Sequence, residues 1–282
     1  MFNNITKQDL LKVEKPARYV GGEYNQVIKN KDDVKCRFAF CFPDIYDIGM
    51  SNLGMKILYN VLNKRADTWC ERVFAPWTDF EATMRTKSVK LYALESKDSI
   101  DKFDIVAFTL QYEMSYTNVL NMLDLGGIPI LSKDRGENDP FVFAGGPCAC
   151  NPYTMSKFID MFMLGEGEEL IDLVTQKYIE WKEKKLPKIE YLKSIKDIKG
   201  VYIPVLHKKN DKIEKVVIKD MNKVSYPTDT VVPSTDIIQN RISLEVFRGC
   251  TRGCRFCQAG YIYTPATKKT LDGTFSAAKQ SI

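Results

Sequence analysis

Residues 36–64 read CRFAFCFPDIYDIGMSNLGMKILYNVLNK, and this stretch decides the fold. Its first seven residues, Cys36–Phe42, are a short apolar run suited to a buried strand. The next ten, PDIYDIGMSN, are rich in Pro, Asp, Gly and Asn and read as a loop. From Leu53 the period changes: Leu53, Ile57, Leu58 and Val61 fall on one face of a helix running to Lys64. An apolar strand, a loop and an amphipathic helix make one unit of a parallel sheet with helices on its faces.

The unit recurs downstream. Residues 73–76, 104–110, 140–144 and 159–164 read as further strands, and residues 78–87, 117–125 and 170–184 as the helices between and after them. This alternation predicts an α/β fold, a Rossmann-like or flavodoxin-like parallel sheet domain over residues 31–188, after a polar N-terminal extension at 1–30. Ligands of such sheets sit at the carboxyl ends of the strands, where the loops of this chain carry their glycines: Gly145 and Gly146, then Gly165, Glu166 and Gly167. The charged, Pro-containing run 182–188 suggests a boundary. Beyond it, residues 200–206 and 213–219 flank a polar turn and predict a β-hairpin, and 226–234 predict an extended segment, together a small β linker at 189–240. Residues 242–247, ISLEVF, predict a strand that leads into RGCTRGCRFCQAG.

That last run holds three of the eight cysteines, Cys250, Cys254 and Cys257, in C-x-x-x-C-x-x-C spacing on one loop. Three thiolates so placed ligate three irons of a cubane and leave the fourth iron open to an exogenous ligand. A structural zinc site would need a second knuckle; the other close pair is Cys148 and Cys150, and the one histidine is His207. Cys148 and Cys150 therefore read as core or loop thiols, and Met50, Met55 and Met114 as fillers of core gaps.

The bulk properties are those expected of a soluble globular protein. The net charge of +5 comes from scattered lysines, with denser runs at 182–188 and 208–215 that read as solvated faces, so nucleic acid is not indicated. No run of about 18 apolar residues exists to span a membrane, and the polar start lacks a secretion signal. A cytoplasmic location follows, where the cysteines are thiols or metal ligands.

The cysteine spacing, with Phe256 just before the third cysteine, resembles the signature of the radical S-adenosylmethionine superfamily. The wider run EVFRGCTRGCRFCQAGYIYTPATKK, with PDIYDIGMSNLG, FTLQYEMSYTN, FAGGPCACNP and LGEGEE upstream, resembles a subgroup in which a cobalamin-binding-like domain precedes the radical barrel. The resemblance implies a 4Fe–4S cluster on Cys250, Cys254 and Cys257. It implies S-adenosylmethionine on the open iron with Phe256 against its adenine, and reductive cleavage of that molecule to a 5′-deoxyadenosyl radical. Arg252 and Arg255 would raise the cluster potential or lie on the surface. The partner implied is an electron donor such as a flavodoxin or ferredoxin. In cobalamin-binding domains the first loop reads Asp-x-His-x-x-Gly; Asp44, Tyr46 and Gly49 hold that spacing with tyrosine in the histidine position. Cobalamin then remains a ligand without a protein ligand to cobalt, held by Gly145, Gly146, Gly165, Glu166 and Gly167.

Two other readings stay open: a non-catalytic module that binds cobalamin or another ligand, and a methylthiotransferase-like relative that modifies RNA or protein. The latter carries a further cluster on N-terminal cysteines, whereas Cys36 and Cys41 fall within a predicted strand. Residues 241–282 supply only the first strand, loop and helix of a (β/α) barrel, which needs about 250 residues when complete. The chain is thus expected to be a C-terminally truncated member. Its last predicted helix, from residue 270, would show an uncovered apolar stripe of Phe275, Ala278 and Ile282.

Overall fold

The computed structural model describes residues 4–224 and 226–281. Six strands form one sheet: β1 (Cys36–Phe42), β2 (Thr68–Phe74), β3 (Ile105–Thr109), β4 (Phe141–Gly145), β5 (Met161–Met163) and β6 (Val201–Tyr202). Their order is β2-β1-β3-β4-β5-β6. The first five run parallel and β6 pairs antiparallel with β5. The parallel part has the flavodoxin-like order, in which the chain reverses direction across the sheet between β1 and β3.

Alternation along β1 shows why both faces are covered. Phe38 and Phe40 join one core with Leu62 of α1 (Leu53–Lys64) and Ile171 of α4 (Glu168–Lys184). Ala39 and Cys41 join the other, with Phe80 of α2 (Thr78–Thr86) and Val119 of α3 (Tyr116–Gly126). Side chains in a strand alternate between faces, so a run with apolar residues on both alternating sets is buried on both, and its one charge, Arg37, needs a partner inside. On α1 the buried stripe is Met55, Ile57, Tyr59 and Leu62, one step round from the stripe the sequence suggests.

Three expectations are corrected. Strand β2 is seven residues long and wholly buried, where only 73–76 read as strand. Glu71 and Arg72 interrupt its apolar pattern, but both are paired inside: Arg37 Nη2 lies 2.5 Å from Glu71 Oε1, and Arg72 donates to Glu23 and Glu95 at 2.7–3.1 Å. Buried charges are tolerated when compensated in this way.

The predicted hairpin of 200–206 and 213–219 does not form. Leu164 N–H donates to Gly200 O and accepts Val216 N–H at its own carbonyl, so the chain just past β5 lies between the two arms. Pro204 lacks the N–H that would extend β6. Finally, the expected strand at 242–247 contracts to β7 (Phe247–Arg248), paired antiparallel with β8 (Thr267–Lys268).

The charged run 182–188 spans the end of α4 and the start of a further helix, α5 (Lys188–Ile195). Tyr191 of α5 is fully buried against Phe141, Tyr178 and Trp181, with ring centroids 5.0–5.8 Å apart. The polar N-terminal segment also packs inward, burying Ile5, Leu10, Val13 and Tyr19 in the core on the α2–α3 face. The last helix, α6 (Leu271–Gln280), exposes Leu271 and Phe275; Ile282 of the expected stripe lies outside the described residues.

Among the described residues no helix is long and apolar enough to cross a membrane.

Candidate functional site

A cavity of about 480 Å³ opens where the carboxyl ends of β4 and β5 face the cysteine loop. Gly146 and the Gly165–Glu166–Gly167 turn form its sheet side, Leu58 of α1 adds an apolar wall, and Cys250 lies on its loop side. The volume falls within the range of small-molecule and cofactor sites. The turn is shaped by close approach of backbone. Gly165 has φ +99° and forms a bridge with Val216, and any β-carbon there would strike the Val216 carbonyl.

Arg248, at the end of β7, ties the cysteine loop to that turn. Its Nε and Nη2 donate to the Glu245 carboxylate at 2.7 and 2.8 Å, Nη2 also donates to Glu168, and Nη1 lies 3.4 Å from Glu166 Oε1. Burial works against the Arg248 charge, but the hydrogen bonds it donates to Glu245 and Glu168 outweigh it and hold its pKa above the ordinary value. A second tie is Lys215, whose Nζ donates to Ile262 O at 2.5 Å. Sequence reading misses both. The Glu245–Arg248 spacing was visible, but pairing with Glu168 spans 80 residues and has no local signal.

The loop itself is open. Cys254 is exposed and Cys250 and Cys257 are half-buried. Gly253 takes φ +62°, and Cys257 N–H donates to Cys254 O at 3.1 Å, closing a turn. Among the described residues no three Cys, His, Asp or Glu side chains are grouped to hold a metal ion, so the three thiols share a loop without converging. In type and access they fit an iron–sulfur cluster: three soft donors within eight residues, none sealed in a core. Phe256 is 94% exposed and does not line the cavity.

The first-loop positions lie away from the cavity. Tyr46 is buried and donates its hydroxyl to Glu23 at 3.0 Å; burial and the Glu23 charge push its pKa up. Asp44 accepts from the Tyr112 hydroxyl at 2.9 Å. A β-carbon on Gly49 would collide with the Phe74 ring. These three do not line the cavity, and Gly145 stands one residue short of it.

Cys36, Cys41 and Cys70 are fully buried, which pushes their thiol pKa values well up. Cys41 faces one core and Cys36 and Cys70 the other, an arrangement that cannot meet at a common cluster. Cys148 is buried, while Cys150 is half-buried on the cavity wall. The exposed Met114 fills no core gap, in contrast to the buried Met50 and Met55.

Comparison with known proteins adds a family. The profile described as "Radical SAM proteins, N-terminal" matches residues 54–204, more than half of the chain. An uncharacterised protein of Methanocaldococcus jannaschii is 27% identical over 250 residues, covering 86% of this chain and 46% of that protein. Among solved structures, the radical S-adenosylmethionine methyltransferase TsrM from Kitasatospora setae, with tryptophan and a SAM analogue bound, superposes with a TM-score of 0.51. Its identity is 10%, and the match covers 86% of this chain and 45% of that one. The chain thus spans about half the length of these relatives, and the likeness to TsrM is one of fold.

Proposed function

Because this chain belongs to the family of radical SAM proteins, matched through their N-terminal region, we propose that it forms the α/β domain and cluster loop of an enzyme that reductively cleaves S-adenosylmethionine. Cys250, Cys254 and Cys257 would hold a 4Fe–4S cluster, and the observation that carries this reading is three thiols on one loop, none sealed in a core, the first of them lining a cofactor-sized cavity. The chemistry supplied by the bound cluster is one-electron reduction of the sulfonium, giving a 5′-deoxyadenosyl radical that takes a hydrogen atom from a substrate.

The protein's own part is position and exclusion of water. Cys250 lines the cavity, so a cluster held by the three thiols would stand at its loop side, and Leu58 supplies an apolar wall. Gly253 gives the loop the left-handed turn between the first two thiols, and its rearrangement would bring the three together. The electron must come from a one-electron donor, which we assign to a flavodoxin- or ferredoxin-like protein in a reducing cytoplasm. Oxygen-free reconstitution with iron and sulfide tests the assignment. The wild-type chain should take up about four irons and show an electron paramagnetic resonance signal that changes on adding S-adenosylmethionine. Colourless protein with stoichiometric zinc would overturn it.

Cobalamin is a second ligand favoured by Gly146 and the Gly165–Gly167 turn at the cavity wall. The Tyr46 hydroxyl is committed to Glu23, so cobalt would receive no ligand from the first loop. Titration with hydroxocobalamin decides this, and a flat calorimetric trace rules it out.

A further inference from the structure

We infer that Arg248 is the positioning residue that sets Cys250 against the α/β domain, acting across the chain through Glu168; its significance for a cluster rests on the function proposed above. Three observations converge on it. Its side chain is only 17% exposed and its guanidinium is shared among Glu245, Glu168 and Glu166. Two of those carboxylates, Glu166 and Glu168, belong to the turn and helix start after β5 and line the cavity that Cys250 also lines. The backbone of Arg248 pairs with Thr267, so the same residue closes the base of the loop that runs from Gly249 to Ala266.

The direction of control follows from the geometry. Glu168 opens α4, a 17-residue helix whose buried face packs in the sheet core, and so is fixed. An acidic side chain is also favoured in a helix's first turn. Among the described residues the loop beyond Arg248 is anchored by the β7–β8 ladder, extended by Lys269 N–H donating to Val246 O, and by the Lys215–Ile262 contact. A planar guanidinium with five donors in a fixed fork holds both oxygens of Glu245 on its own segment while bonding Glu168 on the domain, and a point-like ammonium does not reproduce that bidentate geometry. Glu245 is three residues away on the same segment and holds the guanidinium in orientation. Glu168 is the contact that fixes the loop in space.

Alkylation of the apoprotein under native conditions tests this without any cofactor. In the wild type, half-buried Cys250 should react with iodoacetamide more slowly than exposed Cys254, as read by mass spectrometry of peptides. Arg248→Gln should speed Cys250 by about tenfold, the scale of losing a charge-assisted contact, and leave Cys254 unchanged. Glu168→Gln should do the same from the other side of the contact, while Arg248→Lys restores the charge without the protection. A matching far-ultraviolet circular dichroism melt guards against global unfolding, and Glu168→Gln serves if Arg248→Gln fails to fold. After reconstitution, Arg248→Gln should keep its iron yet lose the spectral change produced by S-adenosylmethionine. Cys250 reacting at the wild-type rate in both variants overturns the inference. Protection lost as expected, with no variant or wild type taking up iron, would instead sink the proposed function and leave the positioning role standing.

Discussion

Gly165 and Val216 cross so closely that the Val216 carbonyl occupies the place of a β-carbon on the glycine. Leu164 O accepts from Val216 N–H at 2.9 Å, and Glu166 N–H donates to Val216 O at 3.1 Å, so the crossing is fixed on both sides. This contact builds the turn that carries Glu166 and Glu168 to the cavity.

Gly165→Ala should therefore destabilise the protein by about 1–3 kcal/mol, from a left-handed φ and the clash together. Gly145→Ala is the control: its β-carbon would meet Met163 O at 3.7 Å, an ordinary contact. Urea denaturation of the two variants should show a lowered midpoint for the first alone.

The thiols should divide by accessibility. Cys254 should react first with a disulfide reagent in the native apoprotein, and Cys36, Cys41 and Cys70 only after unfolding, since burial both shields them and disfavours their thiolates. Replacing Cys250, Cys254 and Cys257 together by Ser should abolish iron uptake, whereas Cys41→Ser should alter stability and leave iron content unchanged.

Arg72 lies between Glu23 and Glu95 with almost no exposure of any of the three side chains. Arg72→Met should cost about 3–5 kcal/mol, because two buried carboxylates lose the guanidinium that hydrogen-bonds them. A thermal melt that barely moves would show that those carboxylates reach water or neutralise by protonation.

Acid should weaken the fold through the same group. Burial raises the Glu23 pKa, but the Arg72 guanidinium beside it outweighs burial and the net shift is downward from 4.5. A carboxylate depressed in the folded state contributes stability that is present above its unfolded pKa and lost as pH falls toward the folded one. Glu71 runs the other way, its pKa raised by burial against the Ser96 and Arg37 hydrogen bonds, and so offsets part of the loss. The urea midpoint should hold from pH 7 to about 5 and fall below about 4.5, and the Glu23 share of that fall should vanish in Glu23→Gln.

Tyr46→Phe should cost about 1–2 kcal/mol, because the hydroxyl both donates to Glu23, which keeps Arg72, and accepts a long 3.4 Å bond from Ser234 N–H. Any calorimetric response to hydroxocobalamin should be the same in Tyr46→Phe as in the wild type, since the hydroxyl faces Glu23 and not the cavity.

The residues themselves determined the doubly covered parallel sheet and the three loop thiols. Cys36–Phe42 carries apolar residues on both alternating sets, Phe38 and Phe40 on one and Ala39 and Cys41 on the other, with Arg37 the one charge, and so reads as a strand buried on both faces, and the spacing of Cys250, Cys254 and Cys257 is local chemistry on a single loop. The seven-residue β2, the fate of residues 200–219 and the setting of Tyr46 came from tertiary structure alone. Glu71 and Arg72 look like loop residues until their partners, 23 to 49 positions away in the chain, are beside them. Gly165 reads as a turn residue until Val216 crosses it. Periodicity reports what one segment buries, whereas a charge in the core or a glycine at a crossing is decided by what the rest of the chain brings to it.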